Sequence, residues 1–230
     1  MTTKIHVVIP CYNAKLYIQE AIASLKAQTW KGWDCVIVDD GSTDGSGEII
    51  DEETREDKRF RVFHTKNRGV AAARNYGISQ WRGGYVLPLD ADDRLMPTAL
   101  ERFAKAWEEN PGASLIVPQI RRFGSKKGRF VVQDRQWRGY EDLKTYCSPT
   151  NSSCYRWSDW KRIGGYRGWS SYEDWEFWLR LLFQNDYVVN IPEVLVEYRV
   201  HPDSRWHKAV KHHDREVEYI RSMNPEIFGE

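Results

Sequence analysis

Two short apolar runs in this chain end in carboxylates, and that feature limits its fold more than any other. Gly84-Tyr85-Val86-Leu87-Pro88-Leu89-Asp90-Ala91-Asp92-Asp93 reads as a strand that ends in three acids within four positions. The earlier run Val36-Ile37-Val38-Asp39-Asp40-Gly41-Ser42 ends in the same way. Clustered carboxylates repel one another unless a positive charge sits among them, and hard oxygen ligands suit Mg²⁺ or Mn²⁺. Two acidic strand ends in one α/β pattern point to a nucleotide and metal site at the carboxyl edge of a sheet.

The first 120 residues alternate strand and helix signals in keeping with that reading. Strands are expected over Lys4–Pro10, Asp34–Asp39, Arg61–His64, Tyr85–Leu89 and Ser114–Pro118. Between them, Asn13 is placed to cap a helix with Ile18, Ile22 and Leu25 on one face. Ser42–Asp57 reads as a polar helix and Gly69–Trp81 as an Ala-rich one. Pro97 is placed to open a helix bearing Leu100, Phe103, Ala104 and Trp107 on one face. Apolar strands separated by helices imply a mainly parallel sheet flanked by helices. After Arg121 the regularity fades, and residues 121–150 resemble a loop or short-strand excursion. Ser171–Asn185 reads as an aromatic helix, followed by two strands, Tyr187–Ile191 and Val194–Val200. The expected organisation is one domain over 1–204, with a nucleotide-binding half (1–120) and an acceptor-side half (121–204). Residues 205–230 form a polar, helical tail.

Composition narrows the partners. A net charge of +1 with both signs interspersed weakens the case for a nucleic-acid partner, although Arg121–Arg138 is locally basic. Met1–Pro10 runs straight into a strand-like stretch, which predicts no secretory leader. No apolar run approaches the roughly 18 residues that span a bilayer. The four cysteines, Cys11, Cys35, Cys147 and Cys154, form no C-x-x-C pair, so free thiols in a reducing cytosol are expected. A place at the membrane surface stays compatible with this. Of eleven tryptophans, six lie between Trp137 and Trp178. Some of these read as core, and others as an apolar platform on which a sugar could stack.

Four segments in order carry a family resemblance. They are Val7-Val8-Ile9-Pro10-Cys11-Tyr12-Asn13, Val38-Asp39-Asp40-Gly41-Ser42-Thr43-Asp44, Asn67-Arg68-Gly69-Val70-Ala71-Ala72-Ala73-Arg74-Asn75 and Leu89-Asp90-Ala91-Asp92-Asp93. Together they resemble the family 2 glycosyltransferases, inverting enzymes of GT-A fold that use nucleotide-diphosphate sugars. The resemblance implies that Asp40, with Asp39 beside it, binds the base, and that Pro10, Tyr12 and Ala91 line the nucleotide pocket. It places Arg74 near the nucleotide or its phosphates, Asp90 on the ribose and diphosphate, and Asp92 on Mn²⁺ or Mg²⁺. A plain turn at Gly41 and a structural ion pair at Arg74 are the competing readings of those residues.

The resemblance resumes at Ser171-Tyr172-Glu173-Asp174-Trp175, which is similar to the family's E-D motif. It implies Asp174 as general base, Glu173 as its orienting partner, and Trp169 with Tyr172 on the acceptor side. The competing reading is that acids simply favour a helix's first turn. Tyr198-Arg199-Val200-His201-Pro202-Asp203-Ser204 resembles a Y-R-x-H-x-x-S stretch of bacterial members, in which His201 completes the metal's coordination. His207, His212 and His213 read as solvated. Gln is missing ahead of Arg205-Trp206, so the processive Q-x-x-R-W pattern fails and a single-addition transferase is expected.

The implied reaction moves a sugar from a nucleotide-diphosphate donor, a UDP-sugar first, to a hydroxyl on a glycan or lipid-linked saccharide. A modified nucleic-acid base is an alternative acceptor, and a catalytically silent sugar-nucleotide or glycan-binding module is an alternative class. Rivals of other chemistry fail on their motifs. A dehydrogenase needs G-x-G-x-x-G after the first strand, where Pro10-Cys11-Tyr12-Asn13 stands. A haloacid-dehalogenase-type phosphotransferase needs Thr where Arg94 stands, and a nucleotidyltransferase needs a Gly-rich basic loop that the first strand does not lead into.

Overall fold

The computed structural model describes residues 3–124, 131–133, 139–147, 149–168, 171–202 and 210–229. Strands β1 (Ile5–Cys11), β2 (Trp33–Asp39), β3 (Phe60–His64) and β4 (Tyr85–Pro88) pair in parallel in the order β3-β2-β1-β4. Every residue of β1 is buried, which is why its sequence is apolar instead of alternating except at His6, whose Nδ1 lies 2.7 Å from Asp34 Oδ1. Its side chains divide by face. Ile5, Val7 and Ile9 share a core with helices α1 (Ile18–Lys26) and α4 (Ala99–Glu109), whereas Val8 joins Val36, Val38 and helix α3 (Val70–Ile78) on the other. Helix α3 lies so close to the sheet that a Cβ at Gly77 would meet Val8 Cγ2 at 2.6 Å. This approach sets Arg74, one turn earlier, over the strand ends.

The second half of the sheet is mixed. Strands β5 (Arg94–Leu95), β6 (Leu115–Phe123), β8 (Cys154–Arg156) and β9 (Val188–Arg199) continue the order as β4-β8-β6-β9-β5, with β7 (Val131–Gln133) paired to β6. β8 runs antiparallel between β4 and β6, and β5 runs antiparallel to β9. The pairing Arg94↔Glu197 matters most for the site. It brings the end of β9, with Arg199 and His201, against the acidic turn that precedes β5. Helix α7 (Glu173–Leu182) packs its aromatic face into the second core, where Trp178 is fully buried.

Several expectations need correction. Asn13 caps nothing: α1 starts at Ile18, and Asn13 adopts φ 51° so that its Oδ1 accepts from the Thr43 amide at 2.8 Å. Helix α2 covers only Ser46–Thr54, because the Asp44 carboxylate takes the amides of Lys15 and Ser46 and fixes a loop ahead of it. Pro97 lies ahead of α4, which begins at Ala99 after Thr98. The two late strands are one, β9, with register irregularities opposite Pro118–Ile120 that accommodate Pro192. At the start of the basic stretch, β6 runs on to Phe123.

The tryptophan-rich region is mostly packing among the described residues. Trp175 and Trp178 are buried, and the half-buried Trp157 and Trp160 donate to Ile78 O and Asn75 Oδ1. Trp137 and Trp169 lie outside the described residues, as do Ser204 and His207. Cys11, Cys35 and Cys154 are buried free thiols, and burial pushes the Cys154 thiol up to about 12. No helix among the described residues is long and apolar enough to cross a membrane.

The polar C-terminal segment is helical over His213–Ser222 and Pro225–Phe228. It shares the second core through Ile220 and Ile227, so the boundary drawn after residue 204 from polarity alone is not a break in packing. Replacing Ile220 with Val is expected to cost about 1 kcal/mol in a urea melt, the usual loss for one buried methyl group. Tyr219→Ser, on the exposed side, should change stability by less than about 0.5 kcal/mol. Equal effects at the two positions would mean that the segment is not packed.

Candidate active site

The carboxyl ends of β1, β2 and β4 open into one cavity of about 1200 Å³. Pro10, Tyr12 and Asp40 line one end of it, and Tyr172, Glu173 and Asp174 line another part. Arg74, Asp90, Ala91, Asp92 and His201 lie on its wall as well. Of the residues expected at the site, Asp39 is not in the lining and Trp169 is outside the described residues.

Asp39 turns from the cavity because its carboxylate is fully engaged. Its Oδ1 accepts from the Ser42 amide at 3.0 Å, and its Oδ2 faces His64 Nδ1 at 2.9 Å. Burial opposes ionisation of Asp39, but hydrogen bonds from Ser42 and His64 outweigh it and hold the carboxyl below its ordinary range. Asp40 is also buried, and it accepts from the Arg68 and Gly69 amides at 3.0 and 2.8 Å. Through these contacts Asp40 shapes the loop that enters α3 and stays at the cavity edge.

Three acids form the centre. One carboxylate oxygen from each of Asp90, Asp92 and Asp93 lies within 4.8 Å of the others. Burial first, and then the charge of Asp90, raises the carboxyl of Asp92 above its ordinary value. Asp93 is raised well above the carboxylate range by burial and by both neighbours, although the Arg199 amide donates to its Oδ1 at 2.8 Å. His201 Nε2 lies 2.9 Å from Asp92 Oδ2, and its buried Nδ1 has no hydrogen-bond partner among the described residues.

This donor set fits a hard divalent cation. Neighbouring ligands of an octahedral ion at about 2.1 Å are about 3 Å apart, the spacing that His201 and Asp92 already have. Asp90, Asp92 and His201 would hold it, with Asp93 bound into the turn beneath.

Arg74 joins this centre to the base helix. Its Nη2 contacts Asp90 Oδ1 and its Nη1 contacts Glu173 Oε1, both at 2.8 Å, with the side chain only 2% exposed. Burial opposes the guanidinium charge, yet Asp90 and Glu173 raise its pKa further above the ordinary value. With both terminal nitrogens engaged, Arg74 orients two site carboxylates, and the ion-pair reading is the one that this geometry displays. Asp174, one residue on at the start of α7, is half-buried and accepts from the Trp175 amide at 2.8 Å. Burial, then the charge of Glu173, lifts its carboxyl to about 6. A carboxylate near neutrality beside an open cavity is suited to accept a proton.

Three side chains make contacts at the site that the sequence did not assign them. Arg199 points away from the cavity: its Nε donates to Asp92 O and its Nη2 to Glu20 Oε2, both at 2.8 Å. It braces the acidic turn, a role that only the β5–β9 pairing reveals. His213 is exposed, as expected, and its Nδ1 also lies 3.2 Å from the Tyr172 hydroxyl, where it joins the cavity wall. Asn151, just past the stretch that read as irregular, donates from Nδ2 to Asp90 Oδ1 at 3.1 Å.

An open α/β sheet with an acidic turn at its carboxyl edge, faced by a carboxylate on a later helix, defines the GT-A class of folds. The glycosyl transferase family 2 profile matches residues 6–161, more than half of the chain, and the protein belongs to that family. Glycosyltransferase GlyG of Streptococcus pneumoniae is 36% identical over 131 residues, which cover 56% of this chain and 43% of GlyG. The uncharacterized glycosyltransferase EpsJ of Bacillus subtilis is 36% identical over 110 residues, 48% of this chain and 32% of EpsJ. The chain thus spans less than half the length of these relatives.

Among solved structures, residues 1–349 of S. aureus TarS in complex with UDP-GlcNAc superpose with a TM-score of 0.76 at 22% identity. They cover 90% of this chain and 61% of that one. Mannosyltransferase PcManGT from Pyrobaculum calidifontis, in complex with GDP-Man and Mn²⁺, gives 0.74 at 17% identity, covering 96% and 65%. At these identities the likeness is one of fold.

Proposed function

We propose that the protein is a non-processive inverting glycosyltransferase that moves a sugar from a nucleotide diphosphate, a UDP-sugar first, to a hydroxyl on a glycan or lipid-linked saccharide. The carrying observation is a single cavity that holds an acidic turn fit for a cation and, bridged to it by Arg74, a carboxyl raised to about 6.

Under this reading the nucleotide lies along the ends of β1 and β2, beside Pro10, Tyr12 and Asp40. Asp90, Ala91 and Asp92 reach its ribose and diphosphate. A divalent ion, Mn²⁺ or Mg²⁺, held by Asp92, Asp90 and His201, supplies Lewis-acid neutralisation of charge on the departing diphosphate. Asp174 accepts the proton of the attacking hydroxyl. Glu173, fixed by Arg74, keeps that region of α7 in place. The acceptor lies toward Tyr172, with Trp169 as its proposed stacking platform.

Asp174 as the one strong base candidate agrees with a single displacement, so an α-linked donor should give a β-linked product. The test is a screen of UDP-, GDP- and dTDP-sugars with Mn²⁺, reading nucleotide release and thermal shift, followed by NMR of the product's anomeric configuration. Release from a sugar nucleotide and an inverted product are expected. A product that keeps the donor's configuration would overturn the mechanism, and binding without turnover across acceptors would leave a silent binding module.

A further inference from the structure

We infer that Asn151 is a donor-sugar contact, a hydrogen-bond acceptor that reads a hydroxyl or amide N–H of the transferred sugar. This rests on the reading of the protein as a glycosyltransferase. Asn151 lines the cavity, its Nδ2 donates to Asp90 Oδ1 at 3.1 Å, and its Oδ1 is buried with no hydrogen-bond partner among the described residues. The orientation of the amide is fixed by chemistry. Asp90 Oδ1 also receives Arg74 Nη2, and an ionised carboxylate can only accept, so the NH₂ group must face it and the carbonyl must face away.

A buried carbonyl without a partner is destabilising, a deficit that a ligand bearing a donor would remove. The diphosphate cannot be that ligand, because its oxygens only accept. Asp92 and Asp93 do not fill that role, since neither lies within hydrogen-bond distance of Asn151 Oδ1.

Sheet order decides among the remaining donors. The strands run β2-β1-β4-β8, with the nucleotide segments after β1 and β2, the acidic turn after β4, and Asn151 just ahead of β8. Asn151 is thus across Asp90 from the base and ribose, on the side where the sugar must extend beyond the diphosphate. The loop is held for this task. Ser153 Oγ donates to Thr150 O at 2.7 Å, and Ser152 and Ser153 are buried. A fixed acceptor rejects a ligand that lacks the matching donor, which makes this position one that selects among sugars.

The experiment is calorimetric titration of the full chain with UDP, UDP-Glc, UDP-GlcNAc, GDP and GDP-Man in Mn²⁺, comparing wild type with Asn151→Ala and Asn151→Ser. For each sugar nucleotide that wild type binds, the ratio of its Kd to that of the free nucleotide is expected to rise about tenfold in Asn151→Ala, the scale of one hydrogen bond. Any change in affinity for UDP, GDP or Mn²⁺ alone should be clearly smaller, because those ligands depend on Asn151 only through its Nδ2 contact to Asp90. Asn151→Ser, which keeps a shorter acceptor, should fall in between. An unchanged ratio would overturn the inference alone. A parallel loss for free nucleotide or Mn²⁺ would assign Asn151 to the acidic turn and overturn it as well. Wild type that binds none of the five would remove the proposed function and this inference with it.

Discussion

Asp92→Ala is expected to abolish sugar transfer, with a loss of about a thousandfold or more. Bound Mn²⁺ or Mg²⁺ contributes several kcal/mol of charge stabilisation at the diphosphate, and each 1.4 kcal/mol is about tenfold in rate. Asp92 is the acid whose oxygen lies 2.9 Å from His201 Nε2 and whose carbonyl is braced by Arg199, so its loss takes away the carboxylate beside the other proposed ligand. Removing it also lowers the repulsion within the turn, so the variant should fold. The Mn²⁺-dependent part of nucleotide affinity should vanish, and with it the rise in Tm that Mn²⁺ gives wild type by binding only the folded state. Full wild-type activity in excess chelator would refute the metal requirement, and a variant that keeps its Mn²⁺ thermal shift would place the ion elsewhere.

The same turn shows what a sequence can disclose. Asp90, Asp92 and Asp93 stand out because no single-strand geometry makes three adjacent acids comfortable, and the apolar runs of β1, β2 and β4 are long enough to mark buried parallel strands. Those features are local. The partners of the turn are not. Arg199 and His201 reach it only because β5 pairs antiparallel with β9, a contact that joins positions more than a hundred residues apart. The Y-R-x-H motif was legible as a pattern, but the direction of each side chain was not: His201 faces the acids while the Arg199 guanidinium runs back to Glu20.

Other misreadings have a similar cause. Asn13 is a residue with strong capping preference, and that preference suggested a helix start. In the fold its side chain instead bonds across to Thr43 in the neighbouring loop, so a tertiary contact overrode the local rule. The split of β9 into two strands came from Pro192 and Glu193, which the strand absorbs as irregular register against β6. His213 read as solvated and is exposed, and its ring also reaches the Tyr172 hydroxyl because Ile220, on the same helical face, pins the segment to the core. Asn151 carried no signal at all, since an Asn among Thr and Ser reads as an ordinary turn.

Asp174→Asn is expected to cut turnover by about 10²- to 10⁴-fold, the usual contribution of a placed general base. The change is nearly isosteric, and the Trp175 amide can still donate to the amide oxygen that replaces Asp174 Oδ1, so the start of α7 should hold. Nucleotide and Mn²⁺ affinity should barely move, because Arg74 contacts Glu173 and Asp90 but leaves Asp174 unpaired with the metal side. The wild-type enzyme adds a second signature. Asp174 must be ionised to accept a proton, and burial with Glu173 beside it places its carboxyl at about 6. Activity should therefore be full above that value and fall tenfold per unit as pH drops well below it. In Asp174→Asn the residual rate should lose this limb. A variant with normal turnover, with an unchanged acid limb, or with nucleotide affinity lost in step with rate would show that Asp174 shapes the helix start and that another group takes the proton.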